Sequence, residues 1–143
     1  MDKKQFNKIT KEIYLQYGFI QKNGKFILQL QDVNIVVLFS SYRNVKYFNY
    51  YFSINELHDS NVPIEKRYDT LVEIKMEHNQ SAQGYHKHEI LFEQYSEEEY
   101  KTLLSNMIHL YFDAYKENAI QYLKNNAYNM CLSQKAKEYL ELT

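Results

Sequence analysis

Phe19-Ile20-Gln21-Lys22-Asn23-Gly24-Lys25-Phe26-Ile27-Leu28-Gln29-Leu30 is the stretch that decides the fold. Asn-Gly stands between two apolar pairs, and it is the dipeptide that best tolerates positive φ at both central positions of a type I′ turn. The segment predicts a hairpin turning at Lys22-Asn23-Gly24-Lys25. Beyond the turn Phe26, Leu28 and Leu30 alternate with Ile27, Gln29 and Gln31, so one face is apolar throughout and the other turns polar. That is the pattern of a sheet covered on one side.

Working outward, Phe6, Ile9, Ile13 and Tyr17 recur at three- and four-residue steps among lysines, which predicts an amphipathic helix over residues 2–17 that stops at Gly18. On the other side, Val33 to Tyr42 is a two-sided apolar run rich in β-branched residues, the mark of a central strand. Arg43-Asn44 reverses the chain. In Val45 to Leu57, Phe48, Tyr50, Phe52 and Ile54 share one face while Tyr47, Asn49, Tyr51, Ser53 and Asn55 share the other. Residues 58–68, with the sole proline at Pro63, form the main connecting loop.

The alternation in Thr70 to Met76 predicts a fourth main strand, followed by a polar loop from His78 to Gly84. His86 to Gln94 is compatible with a fifth strand or a helix start, and the strand reading is preferred. Ser96-Glu97-Glu98-Glu99 is a capping box that opens a helix. Its stripe, Tyr100, Leu103, Leu104, Met107, Ile108, Tyr111 and Tyr115, continues through Ile120, Leu123, Ala127 and Met130 across a possible break near Glu117-Asn118. Ser133 caps a last short helix over residues 134–141 that buries Ala136, Leu140 or both. The expectation is an α+β fold in one domain, residues 1–143: an N-terminal helix, an antiparallel sheet of four or five strands, and C-terminal helices packed on one sheet face.

Composition narrows the function classes. Charged residues make up 24% and the net charge is −1, so no field of one sign draws in a phosphate backbone or an anionic membrane. Neither nucleic acid nor membrane is expected as a partner. The apolar runs are far shorter than the roughly 20 residues that span a bilayer, and residues 1–17 do not read as a signal peptide. The single cysteine, Cys131, suits a reducing compartment, and a cytoplasmic location is expected. Tyr 15 and Phe 8 beside Trp 0 give a chain able to build core edges or contact surfaces from one residue type, although an AT-rich coding sequence produces the same bias.

No catalytic, cofactor-binding or metal site is assigned. Gly18, Gly24 and Gly84 are too far apart for a phosphate-cradling loop, and no serine has a glycine elbow. His86-Lys87-His88 is the sharpest metal candidate, because alternate strand residues point the same way, and His78 lies nearby. A zinc site needs further ligands that no spacing fixes, and a solvated strand end explains the pair as well. Glu73, Glu77, Glu89 and Glu93 sit among lysines as on an exposed strand face, and His109 reads as a packed, hydrogen-bonded helix residue. The strip of Tyr47, Asn49, Tyr51 and Asn55 is either a contact surface or a sheet face covered by the long C-terminal helix, with the covered reading preferred.

The order of helix, Tyr17-Gly18-Phe19-Ile20-Gln21-Lys22-Asn23-Gly24, Phe26, the strand Val33–Phe39 and Tyr51-Phe52-Ser53-Ile54-Asn55 resembles the bacterial domain-of-unknown-function family 4304. Its members open with a helix ending in a Gly-Phe-Lys-Lys-like turn and carry a Phe-x-Ile-Asn strand. The resemblance covers about residues 5–57, departs after Asn55, where Glu56-Leu57 replaces a Leu-Gly-like pair, and implies no activity. At the level of fold class the chain is also similar to bacterial immunity proteins.

The function expected is therefore a non-enzymatic protein-binding module, of immunity or regulatory type, partnering another bacterial protein or a second copy of itself. The alternative is a small-molecule-binding or hydrolytic domain with a Tyr/His-lined pocket drawing on His78, His86 and His88.

Overall fold

The computed structural model describes residues 1–42, 45–78, 87–127 and 130–141. The Arg43-Asn44 turn, the loop beyond His78 with Gly84, and His86 lie outside the described residues. In chain order the elements are α1 (Lys3–Gln16), β1 (Ile20–Lys22), β2 (Lys25–Gln29), β3 (Val33–Tyr42), β4 (Val45–Ile54), β5 (Ile74–Lys75), β6 (Ile90–Leu91), α2 (Glu97–Asn126) and α3 (Gln134–Tyr139). Single 3-10 turns occupy Asn55–Leu57, Ile64–Lys66 and Phe92–Gln94. No helix among the described residues is long and apolar enough to cross a membrane.

The hairpin forms where the sequence places it. Asn23 has φ 51° and Gly24 φ 77°, both in the left-handed region that the type I′ turn demands, and Ile20 pairs with Ile27 across it. Asp2 and Gln5 form a capping box at the start of α1, and Gly18 at φ 92° ends the helix, its N–H donating to the Leu15 carbonyl at 3.1 Å. The sheet is antiparallel in the order β1-β2-β3-β4, with β3 and β4 paired from Val33↔Ile54 to Tyr42↔Val45.

Among the described residues the sheet has six strands, one more than the largest number expected, because two short ones share the outer edge of β4. β5 pairs with Asn49 and Tyr50, and β6 pairs with Val45 and Lys46. The strand predicted over Thr70 to Met76 shrinks to Ile74–Lys75 for a specific reason. Asp69 N–H donates to the Phe52 carbonyl at 2.8 Å, but Leu71 N–H donates to the Cys131 carbonyl at 2.7 Å, and Thr70 bridges to Leu132. The first half of the segment is thereby engaged by the C-terminal chain. Of the segment expected as a strand over His86 to Gln94, the described residues 87–94 hold the two strand residues Ile90–Leu91 before the 3-10 turn.

The helices lie on one sheet face. Phe26, Leu28, Val33, Ile35, Val37, Phe48, Tyr50, Phe52 and Ile54 are buried there with α1 residues Phe6, Ile9, Ile13 and Tyr14 and the α2 stripe. The Phe6 ring alone meets Phe39, Phe48, Phe92 and Tyr100 at centroid separations of 4.9–6.4 Å. Each such side chain withdrawn from water contributes about 1.5–3 kcal/mol. The break expected in α2 is real and has a cause: Asn118 is extended (φ −152°, ψ 91°) and its Oδ1 accepts from Gln121 N–H at 3.1 Å, so it caps a new helical segment. Ser133 caps α3, and both Ala136 and Leu140 are buried.

Candidate functional site

The strip of Tyr47, Asn49, Tyr51 and Asn55 lies on the sheet face opposite the helices, and its cover differs from the one expected. The long helix α2 packs on the other side, and the connector after β4 crosses this face instead. Ile27, Val36 and Tyr51 are buried against Leu38 and Ile64 there. Tyr51 is only 6% exposed, and its hydroxyl donates to the Glu65 carbonyl while Lys25 Nζ stands 5.6 Å from the ring centroid. Burial, followed by the charges of Glu73 and Glu65, pushes the Tyr51 phenol up to about 12.

The rest of the strip is similarly engaged. Asn49 is buried, its Nδ2 donating to Glu73 Oε2 at 3.4 Å. Asn55 Nδ2 donates to the Gln31 carbonyl at 3.0 Å, tying the end of β4 to the β2–β3 turn. Tyr47 is half-buried beside the His88 ring at 5.6 Å.

Two carboxylates that the sequence did not flag hold the connector in place. Glu65 is buried, accepting from Asn23 Nδ2 at 3.1 Å and pairing with Lys22 Nζ at 3.4 Å, so the Asn-Gly turn also clamps the 3-10 turn at Ile64–Lys66. The backbone N–H of Glu65 itself is the main reason its carboxyl is held below the usual value, with Lys22 and Asn23 adding to the effect. Asp69 is buried as well; its Oδ2 accepts from Ile54 N–H at 2.7 Å and lies 2.9 Å from His58 Nε2. The Asp69 carbonyl takes the Ser133 N–H at 2.9 Å. One residue thus joins β4, the connector and the start of α3.

What this leaves outside is apolar. Tyr68 is 61% exposed, Leu71 70% and Val72 61%. Tyr68 packs edge-on to Tyr51 at 6.0 Å. With Leu71, Thr70, Lys66 and Glu73 it borders a groove of about 590 Å³ floored by Tyr51. Within that groove the buried Thr70 Oγ1 makes no hydrogen bond among the described residues.

The histidines are placed separately. His78 N–H donates to the Lys87 carbonyl at 2.8 Å, and its Nε2 bonds the Glu89 carbonyl. It also edges a groove of about 580 Å³ along the first half of α2, with Glu77, Glu98, Met107 and Leu110. His88 is buried, and burial, then the neighbouring Lys75, lowers its pKa from the ordinary histidine value. His86 lies outside the described residues, so the triad with His78 and His88 is not assembled here. Among the described residues no group of three or more His, Cys, Asp or Glu is placed to hold a metal ion. His109, read as packed, is half exposed; its Nδ1 lies 2.8 Å from Asp113 Oδ2, and its ring stands edge-on to Tyr17 at 5.0 Å.

One further residue escaped the sequence reading. Lys46 continues the core-face alternation of Phe48, Tyr50, Phe52 and Ile54, and it is 3% exposed. The period of two gives the sheet face on which Lys46 lies, and the packing of α1 over that face buries it.

Compared with known proteins, the chain matches no family model, no curated protein and no solved structure. The functional reading therefore rests on geometry.

Proposed function

We propose that this protein is a non-enzymatic binding module that docks another protein on the connector side of its sheet, through Tyr68, Leu71 and the adjoining Val72. One observation carries the reading: three large apolar side chains within five residues are more than half exposed, on a segment pinned from beneath by Glu65 and Asp69. Exposed apolar groups rimmed by polar ones mark interaction surfaces, and a surface held rigid before contact loses little entropy on binding. Lys66 and Glu73 border the groove with charges of both signs. The occupant that fits is an apolar side chain of a partner, flanked by polar backbone or side chains that satisfy those groups.

The size of the patch favours a different protein over a second copy. Three side chains expose on the order of a few hundred Å², below the roughly 800 Å² per partner of a stable interface. A partner therefore has to contribute contacts around the patch, in the manner of an immunity or regulatory protein covering a site on its target.

The test uses the double variant Leu71→Ser/Val72→Ser. Exposed side chains alter stability by only about 0.5 kcal/mol, so its thermal midpoint stays at the wild-type value. A partner captured from source cells, purified and measured directly, is expected to bind the variant at least about tenfold more weakly. Equal affinity for both chains overturns the reading, as does a wild-type chain that sediments as a dimer and becomes a monomer in the variant.

A further inference from the structure

On the opposite, helix-covered face of the sheet, between α1 and the strands β3 and β4, lies a cavity of about 600 Å³. Its lining includes four lysines, Lys3, Lys8, Lys11 and Lys46, and no carboxylate among the described residues. Lys3, Asn7 and Lys11 follow one another at four-residue steps, so α1 presents them as a single stripe to this space. Gln21 and Ser41 add an amide and a hydroxyl, and Phe26 and Phe39 supply an apolar wall.

The unusual member is Lys46. Its position on β4, in register with Ser41 of β3 and Ile90 of β6, turns it toward the helix-covered face. Its ammonium stands 5.7 Å from the Phe6 ring centroid and 5.8 Å from that of Phe39, and that ammonium makes no hydrogen bond or ion pair among the described residues. Ring faces attract a cation but replace only part of the hydration that a buried ammonium gives up. Burial, and after it the charge of Lys3, accordingly lowers the Lys46 pKa. Three exposed lysines beside a fourth whose residue is only 3% exposed concentrate like charge in a way that opposes folding unless something anionic offsets it.

We propose that this cavity is a binding site for an oxyanion of the phosphate class, either free phosphate or the phosphate group of a small ester whose apolar body lies on Phe39. Lysine binds phosphate as a compact point charge with three donors, and Asn7, Gln21 and Ser41 can complete the coordination of the remaining oxygens. Lys46 Nζ meets the cavity beside the Phe6 and Phe39 rings, a less polar setting than that of the exposed lysines, which strengthens that one contact relative to theirs. The site is separate from the connector groove, and occupancy of either is measurable without the other.

The experiment follows backbone amide shifts of the full chain during titration with sodium phosphate and with phenyl phosphate, against sodium chloride at matched ionic strength. Saturable shifts centred on Asn7, Ser41 and Lys46 are expected, with Kd of about 1 mM or tighter. Tighter binding of phenyl phosphate assigns the site to an ester, and equal binding assigns it to free phosphate. Lys46→Met removes the ammonium while keeping the stem, so it is expected to fold with a thermal midpoint at or above wild type and to bind at least about tenfold more weakly. Should that variant not fold, Lys3→Ala/Lys11→Ala, at two exposed positions, carries the same expectation of weakened binding. Shifts that mirror sodium chloride, or undiminished binding in the lysine variants, overturn the proposal.

Discussion

The two faces of the sheet are closed by different means, and the difference separates what holds this protein together from what it offers to others. On the helix side, Phe6, Phe48, Phe52, Tyr100 and Phe112 are fully buried in one continuous core. On the connector side the buried apolar cluster among the described residues is Ile27, Val36 and Tyr51, and the cover is fastened by Glu65, Asp69 and their hydrogen bonds. Apolar packing has no direction and favours close contact on every side, so the centre of the helix side is buried throughout. Hydrogen bonds fix particular atoms and leave the side chains between them unconstrained. That is why Tyr68, Leu71 and Val72 remain outside while the backbone beneath them is held.

Alkali should break the helix side with the largest effect. Burial raises the Tyr50 phenol to about 12 and drives Tyr14, Tyr100 and Tyr115 upward as well. Their folded values lie above the unfolded value of about 10, so the stability they represent is complete below that pH and is lost as pH rises from there through 12. The chain is expected to unfold cooperatively in this window, with tyrosinate absorbance and far-UV circular dichroism changing together. Gradual tyrosine ionisation at constant dichroism would mean that water reaches these hydroxyls.

A pair of substitutions sharpens the comparison. Phe48→Ala, which empties the centre of the packed face, should cost about 3–5 kcal/mol in denaturant unfolding. Asp69→Ala leaves the buried Ile54 N–H without its acceptor and should cost about 1–3 kcal/mol. Equal losses would mean that the connector is as much a part of the core as the helices are.

Acid gives the smallest effect and acts on the other face. The Glu65 carboxyl is held below its ordinary value, so its contribution is present above the unfolded value of about 4.3 and is lost as pH falls through the folded one. Glu65→Gln is expected to lower the thermal midpoint at neutral pH and to match wild type once the pH is low enough to protonate both states. A difference that persists unchanged into acid would assign the effect to shape rather than charge.

The legible parts of the fold were those written in local periodicity. Asn23-Gly24, the capping box at Ser96 and the alternation through β4 each act over a few residues, and each produced its element. Asn118 was readable as a break because an asparagine between apolar stripes competes for backbone hydrogen bonds. The fate of Thr70 to Met76 was not readable, since its alternation says strand without saying whose edge it joins. Cys131 and Leu132, some sixty residues further along the chain, take the first part of it. The candidate sites fared likewise. Tyr51 was correctly placed on the second face but its cover was not, and Glu65, Asp69 and Lys46 give no sign in isolation that they are buried.

By itself the sequence determined the helices, the hairpin, the two long strands and the two faces of those strands, because these follow from side-chain period and turn chemistry within a few residues. Only the tertiary structure decided that helices take one face and a hydrogen-bonded connector the other, that Lys46 lies under α1, and that Tyr68, Leu71 and Val72 stay exposed. Which surface covers which depends on contacts between segments far apart in the chain. Burial of a charge or exposure of an apolar side chain is a property of that meeting, not of the residue that carries it.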